Sequence, residues 1–448
     1  MLVATASASV LKLIWSPGAP AAPGSPTRPR GITASVAGFR SVNGMVAGFR
    51  NRYRPDVMIP DGAEMRRGGR LTFLDGLRGW AALAVLGSHL FQVWMINPEA
   101  MRARGLTWVL DLVNSSPLGV AMDGALAIHI FFCISGVALT YPIITAPAPL
   151  RVALVLALQR YPRLTMPIFA ACLLVYALWV TGCFANVEAG ARSNTPWLAT
   201  FYRFEPHHFA DMLSFALWRV YFDYDLASSW NAVLWTMPIE LLGSFVIFLL
   251  AVAAPRPTRL AIAIFGALMF QSSYFCGFFL GFGIADLIAS GRFSQLPRVG
   301  AGLLIAALAA SIAARSPHFH VAFFATIPGR NIIAGLAVAG CAALPAAAAA
   351  LSGPLSRFLG AVSFSLYLVH FPIVCSFSSA LFLAAVDRMP FALTVATVAV
   401  ASAGVALAAA ALFHAMVERR ALGAVKSWIA VGMRNRGGRA DYGNAGSG

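Results

Sequence analysis

The stretch Phe391–Phe413, FALTVATVAVASAGVALAAAALF, contains no charged residue. About 20 consecutive apolar residues are enough for a helix to cross the hydrocarbon core of a bilayer. A transmembrane β-strand would alternate apolar and polar residues instead, and this stretch does not. Because a chain in lipid must satisfy its backbone hydrogen bonds internally, the stretch predicts a membrane-spanning helix.

The whole chain has the same character. Of its 448 residues, 59% are hydrophobic and 11% are charged, and the mean hydropathy is +0.74. An ordinary soluble domain has about 45–50% apolar and about 25% charged residues, and a soluble fold could not hide this excess. We therefore expect an all-α protein, a polytopic bundle embedded in a lipid bilayer.

Further apolar stretches resemble the first one, and together they predict about ten transmembrane helices. Two of them, the fifth and the sixth, are short, and either one fits half of a re-entrant hairpin. The approximate limits of the predicted helices are 73–96, 118–140, 165–184, 232–254, 259–274, 275–290, 298–314, 331–351, 358–385 and 391–416.

The formal net charge is +16. If the N-terminus is cytoplasmic, most of the 33 Arg and Lys residues fall in segments on the cytoplasmic side, as the positive-inside rule requires. The basic balance therefore indicates topology and not a nucleic-acid partner. We expect both termini in the cytoplasm and the chain in a plasma (inner) membrane.

The two ends of the chain differ from its middle. Residues 1–64 are rich in Pro, Gly, Ser and Arg and have no acidic residue before Asp56. They fit a disordered or spurious tail, which we favour, a transit-like peptide, or a segment upstream of a true start at Met65. We expect a transmembrane domain over 65–420 and a basic, flexible cytoplasmic tail over 421–448.

Two other features bear on function. The longest predicted outside loop, about 185–231, carries His207 and His208 and is expected to cap the membrane domain. The six cysteines lie in apolar stretches without CxxC spacing or His-rich neighbours. That pattern predicts neither a metal site nor a disulfide framework.

Ionisable residues inside a bilayer are costly and normally face a cavity or a partner. In the first predicted helix, Arg78 and His89 are 11 residues apart, about 20° from eclipsed and about 16 Å apart along the axis. Asp75 can pair with Arg78 across one turn. One interpretation is a functional face; the other is a snorkelling Asp75–Arg78 ion pair with His89 as interhelical glue.

The later predicted helices add further candidates. Arg160 and Arg163 come just before the third predicted helix, where they either anchor the topology or grip phosphate bidentately. Glu240 needs a cationic partner, and an intramembrane cation is the expected one. In the ninth predicted helix, Tyr367 and His370 share one face.

Five segments resemble the motifs of the acyltransferase 3 family, in the family's order, over about 73–420. Any one of them is weak, and their specificity comes from their number. They are Arg78 and His89 for Arg-x10-His, Phe131–Gly136 (FFCISG, including Ser135) for FFxxSG, Arg160-x-x-Arg163 for RxxR, Trp235–Glu240 (WTMPIE) for the W-[ST]-x-x-x-E element, and Ser363–Pro372 for SYSLYLxHxP.

The resemblance implies acyl transfer, often of acetyl from acetyl-CoA, to a hydroxyl of a sugar, glycolipid or other small acceptor. No permanently bound cofactor is expected. Residues 1–64 lie outside the family pattern. Some relatives carry a fused extracytoplasmic hydrolase-like domain, which we do not find in this sequence.

A mechanism consistent with these residues assigns a role to each. Arg160 and Arg163 would bind the phosphates of an acyl-CoA donor. His89 would be the general base or a transient acyl carrier, and Arg78, oriented by Asp75, would fix the donor or stabilise negative charge. The supporting residues that shape the cavity or the acceptor site would be Glu240, Tyr367, His370, Ser135 and Trp235.

The main alternative is a proton-coupled transporter or exporter, because carriers also hold Arg, His, Asp and Glu in the membrane. We find no inverted repeat of the predicted helices, and the RxxR pair favours a phosphate-bearing donor. A purely structural membrane protein would leave the buried charges unexplained.

Overall fold

The computed structural model describes residues 71–95, 101–102, 105–203, 209–421 and 423–424. Over those residues every regular element is helical, as predicted. Residues 1–64 and almost all of 421–448, for which tails were predicted, lie outside the described residues. So do His207 and His208 of the capping loop.

The helices follow one another with short connections. The first are α1 (Thr72–Met95), α2 (Thr107–Asn114), α3 (Gly124–Ile144), α4 (Pro149–Val180), α5 (Asn186–Ser193), α6 (Phe209–Ser214) and α7 (Met237–Ala253). The others are α8 (Arg259–Met269), α9 (Phe275–Ala289), α10 (Pro297–Ala313), α11 (Ile327–Ala343), α12 (Pro345–Leu351), α13 (Pro354–Ile373), α14 (Ser379–Ala385) and α15 (Phe391–Phe413).

Shorter turns complete the described chain. Three are π-helical: Phe215–Arg219 after α6, Val374–Ser378 between α13 and α14, and His414–Glu418 after α15. The remaining short turns are Pro117–Met122, Leu198–Thr200, Val220–Phe222, Ala232–Thr236, Arg256–Thr258, Phe293–Gln295 and Ala322–Ala325.

The count of ten spanning helices is not confirmed. Five described helices are long and apolar enough to cross a membrane, and a sixth candidate is the pair α11 and α12. With 11, 15 and 17 residues, α8, α9 and α10 fall short of the roughly 20 that a span requires. The five are Gly124–Ile144, Pro149–Val180, Ala232–Ala253, Pro354–Ala385 and Phe391–Ala421.

The bend in the α11–α12 pair is 97°. It falls at Leu344–Pro345, because proline at the first position of α12 cannot continue the hydrogen-bond ladder of α11. The eighth predicted helix is therefore a bent pair.

The helix α4 begins well before the predicted limit. It starts at Pro149, not near residue 165, so Arg160 and Arg163 lie inside a 32-residue helix. The prediction was wrong because Pro162 and Pro167 look like a helix start in the sequence. In a membrane bundle neighbouring groups can satisfy the carbonyls that proline frees, so a helix can continue through them.

The close packing of α1 against α13 positions the candidate residues. A Cβ atom on Gly79 would lie 2.4 Å from the Gly360 backbone nitrogen, and one on Gly360 would lie 2.3 Å from the Asp75 carbonyl oxygen. Only glycine allows the two backbones to touch here. Because Gly79 meets Gly360 and His89 meets His370 further along, the two helices run parallel.

The helix α3 packs antiparallel beside α1, since its first residue, Gly124, lies against Ser88 near the end of α1. On its other side α3 meets α9 through Gly136 and Gly281, whose added Cβ atoms would lie 2.5 Å and 2.3 Å from backbone oxygens of the facing helix. These contacts bring the second predicted motif into the centre of the bundle.

The glycine contact gives a test of the fold. We expect Gly79→Ala to lower the free energy of unfolding by about 1–3 kcal/mol, because the added methyl group must push α1 and α13 apart. The matched control is Gly404→Ala in α15, where a Cβ atom would meet nothing within 4 Å. Thermal unfolding in detergent checks the prediction, and equal midpoints for the two variants would contradict it.

Candidate active site

His89 of α1 and His370 of α13 are joined side by side. The His89 Nδ1 atom lies 2.9 Å from His370 Nε2, and the rings are inclined by 19°. The His370 ring is buried, and that of His89 is half-buried. This contact brings the first and the last sequence motifs into one site.

The protons of this pair follow from one backbone carbonyl. His370 Nδ1 lies 2.9 Å from the Leu366 carbonyl oxygen, which can only accept a hydrogen bond. In neutral rings His370 Nδ1 therefore carries the hydrogen, and its Nε2 accepts one from His89 Nδ1. The Nε2 atom of His89 is left unprotonated, and it has no hydrogen-bond partner among the residues that the structure describes.

Aromatic side chains surround His89. Its ring stacks on Trp197 with centroids 6.0 Å apart and meets the edge of Phe371 at 5.2 Å. Trp197 comes from the predicted capping loop, and Thr195 of that loop donates its hydroxyl hydrogen to the Val93 carbonyl at 2.7 Å. The described part of the loop therefore lies over the His89 end of the bundle, as expected.

Arg78 also faces α13. Its Nε donates to Ser363 Oγ at 3.0 Å, and its Nη2 donates to Asp75 Oδ1 and to the Gly360 carbonyl, both at 3.3 Å. The predicted Asp75–Arg78 pair is therefore present. Since His89 contacts the same helix, the shared face predicted from the 11-residue spacing is found as well.

Arg160 lies within α4, with its side chain directed into the bundle. It is 9% exposed, its Nη2 donates to Glu240 Oε1, and its Nε donates to Ser244 Oγ at 2.7 Å. Ser135 donates to the same Glu240 oxygen at 2.8 Å. Glu240 thus has the cationic partner that the sequence required, while Arg163 is exposed on the surface of α4.

Tyr367 fixes the WTMPIE segment to α13. Its hydroxyl donates to the Val233 carbonyl and lies 2.7 Å from Thr236 Oγ1, and its ring lies 6.1 Å from that of His370. Trp235 faces the other way, with its ring 5.2 Å from that of Tyr274. The segment therefore contacts both Tyr367, next to the histidine pair, and the Tyr274 side of the bundle.

A residue missed in the sequence, Asn231, supports the histidine pair. Pro372 has no N–H, so the Leu368 carbonyl one turn earlier lacks its helical donor. The Asn231 Nδ2 group donates to that carbonyl at 2.8 Å, and Asn231 is completely buried. The sequence signal was Pro372, which predicts a freed carbonyl but not the residue that reaches it.

The comparisons with known proteins show which family has these motifs. A family model described as an acyltransferase domain, Acyl_transf_3, matches residues 71–414, a range that contains all the motifs above. The chain belongs to the acyltransferase 3 family. No curated protein and no solved structure matches it.

Family membership makes this chain a membrane acyltransferase. All five acyltransferase 3 motifs contribute side chains that are bonded or packed between helices: Arg78 and His89 on α13, Ser135 and Arg160 on Glu240, and Tyr367 on the segment before α7. The motifs are thus one connected set of contacts within the acyltransferase bundle.

The ion pair of this acyltransferase gives a second prediction. Removing one partner of a buried pair costs about 3–5 kcal/mol, because the other charge is left uncompensated. We expect Glu240→Gln or Arg160→Gln alone to destabilise the bundle strongly, and the double variant to lose much less than the sum. Thermal unfolding of the three variants in detergent measures this coupling, and additive losses would contradict it.

Proposed function

We propose that the chain transfers an acyl group, acetyl in the simplest case, from a CoA thioester to a hydroxyl of a sugar, a glycolipid or another small acceptor. The single observation that carries the proposal is the hydrogen-bonded series from His89 Nδ1 through His370 to the Leu366 carbonyl, which leaves the Nε2 atom of His89 unprotonated in neutral rings. Membership of the acyltransferase 3 family supports this reaction over a proton-coupled carrier.

In the proposed reaction His89 Nε2 takes the proton of the acceptor hydroxyl while the hydroxyl oxygen attacks the thioester carbonyl carbon. The carbon–sulfur bond then breaks, and the imidazolium returns the proton to the leaving sulfur of CoA. His370 accepts the His89 Nδ1 hydrogen bond throughout and holds the ring in the required tautomer.

The proposed role of Arg78 follows from its distance from His89. The two residues are about 16 Å apart along α1, so one small group cannot touch both. Arg78, held by Asp75 and Ser363, would bind a distal part of an extended donor whose thioester reaches His89. The proposal places the Arg78 end of α1 towards the cytoplasm of a plasma (inner) membrane.

Arg160 and Arg163 have different roles in this proposal. Two nitrogens of Arg160 are already bonded to Glu240 and Ser244, so this side chain mainly anchors α4 to α7. Arg163 is exposed three residues later and would supply a surface contact for a donor phosphate.

We expect His89→Ala to lower acyl transfer about 10²–10⁴-fold, the usual contribution of a general base. His370→Ala should also lower the rate, by less, because His89 keeps its base but loses its fixed tautomer. The measurement incubates membranes containing each variant with radiolabelled acetyl-CoA and counts label in the extracted glycans and lipids. Longer acyl-CoA donors test the chain length.

The control is His320→Ala, an exposed loop histidine, which should transfer label at the wild-type rate. Undiminished transfer by folded His89→Ala protein would overturn the proposal. Label found on the acid-quenched protein in the wild type, and lost in His89→Ala, would show an acyl-histidine intermediate in place of the one-step reaction.

A further inference from the structure

Three helix ends converge on the side of α3 away from α13. Leu126 at the start of α3, Ala310 near the end of α10 and Ile333 near the start of α11 pack in one apolar cluster. Since Gly124 lies against Ser88, the neighbour of His89, this convergence is level with the histidine pair. Polar residues that the proposed mechanism does not use lie at these helix ends.

Positive charge exceeds negative charge at this place. The Arg315 Nε atom lies 3.7 Å from Asp123 Oδ2, and the two side chains are 15% and 9% exposed. Arg330 is close enough to interact electrostatically with Arg315 and with His129. Among the described residues, Asp123 is the only carboxylate paired with these two guanidinium groups.

The Arg330 side chain has an unmet bonding capacity. Its Nε atom is buried and has no hydrogen-bond partner among the described residues, although the side chain as a whole is half-buried. Arg330 also lies in the first turn of α11, where the helix dipole disfavours a cation. A buried donor on a charged group without an acceptor costs free energy, so this guanidinium is poorly compensated by the protein itself.

The wall beside Arg330 is held by hydrogen bonds and is partly aromatic. His129 Nδ1 donates to Asn331 Oδ1 at 2.7 Å, and Asn331 Nδ2 donates to the carbonyls of Gln271 and Ser273 at 2.9 Å and 3.1 Å. The ring of Tyr274 lies 4.8 Å from that of His129 and interacts electrostatically with Arg330.

The wall then leads towards the histidine pair. Trp235 contacts Tyr274, and its neighbour Thr236 bonds Tyr367, whose ring lies beside His370. One continuous set of contacts therefore connects the surroundings of Arg315 and Arg330 with the proposed reaction centre.

We propose that Arg330, backed by Arg315, binds an oxyanion, a phosphate or a carboxylate, carried by the acceptor, whose neutral body lies along Trp235 towards His89. The anion would bind the part of the Arg330 side chain that is not buried, and it would balance the positive charge that Asp123 does not compensate. The assignment of the ligand as acceptor rests on the proposed acyl transfer, whereas the anion site itself does not.

The test is binding to purified, delipidated protein in detergent at constant ionic strength. One arm titrates inorganic phosphate, and the other titrates dodecyl phosphate in mixed micelles, so that a free anion and a lipid-like headgroup are distinguished. A ligand that binds only the folded protein stabilises it by RT ln(1 + [L]/Kd), so the unfolding temperature rises with the ratio of free ligand to Kd. We expect a rise that follows this relation in at least one arm.

Arg330→Gln should weaken that binding at least about tenfold, as expected for lost hydrogen bonds to a charged group. Arg330→Lys keeps the charge and should bind with intermediate affinity, which also guards against a misfolded Gln variant. The matched control is Arg298→Gln, an exposed arginine in the first turn of α10 at the opposite end of the bundle, which should bind like the wild type.

The inference would be overturned if neither probe raised the unfolding temperature of the wild type. It would also be overturned if the Arg330→Gln variant bound as tightly as the wild type. Because binding is measured without turnover, its failure is separate from that of the proposed function. If His89→Ala lost acyl transfer while Arg330→Gln bound the anion as tightly as the wild type, only the proposed anion site would be contradicted.

Discussion

The Leu366 carbonyl oxygen determines the chemistry of the candidate site, because an oxygen that can only accept fixes where two imidazole hydrogens lie. The hydrogen of His370 Nδ1 is directed to Leu366, that of His89 Nδ1 is directed to His370, and His89 Nε2 keeps its lone pair. This series of hydrogen bonds can form because α1 and α13 touch through Gly79 and Gly360. A bulkier interface would separate the two rings.

Near Pro372 the backbone of α13 lacks regular helical hydrogen bonds, and side chains bond the carbonyls that are left. Asn231 takes up the carbonyl that Pro372 frees, and the Ser376 hydroxyl donates to the Pro372 carbonyl at 2.7 Å. The π-helical turn that follows exposes the Cys375 carbonyl to Ala185 of the capping loop at 3.1 Å. The irregular end of α13 therefore ties the loop bearing Trp197 to the histidine pair.

The sequence predicted those features that depend on local spacing. Helical geometry alone placed Asp75, Arg78 and His89 on one face, and the expense of a buried carboxylate required a cation for Glu240. The helix count was less predictable, because apolar stretches such as those of α8 to α10 show composition but not how much of their length is helical. Arg160 was misplaced because proline inside a membrane helix resembles a helix start.

Contacts between distant segments could not be predicted. The Asn231–Leu368 bond joins residues 137 positions apart, and nothing in the sequence around Asn231 distinguishes it from other loop amides. The sequence did not single out Arg330 as a candidate, for another reason. It lies just outside the eighth predicted helix, so the positive-inside rule counted it as a loop charge. Only the three-dimensional structure shows that its buried Nε atom has no hydrogen-bond partner among the described residues.

The most direct measurement of the central claim is the ¹⁵N NMR spectrum of the protein with ¹⁵N-labelled histidine rings in lipid at neutral pH. His89→Asn and His370→Asn variants assign the two rings among the eight histidines. We predict that both rings are neutral, with hydrogen on Nδ1 and none on Nε2. Hydrogen on His89 Nε2 in the wild type, as in the opposite tautomer or an imidazolium, would contradict it.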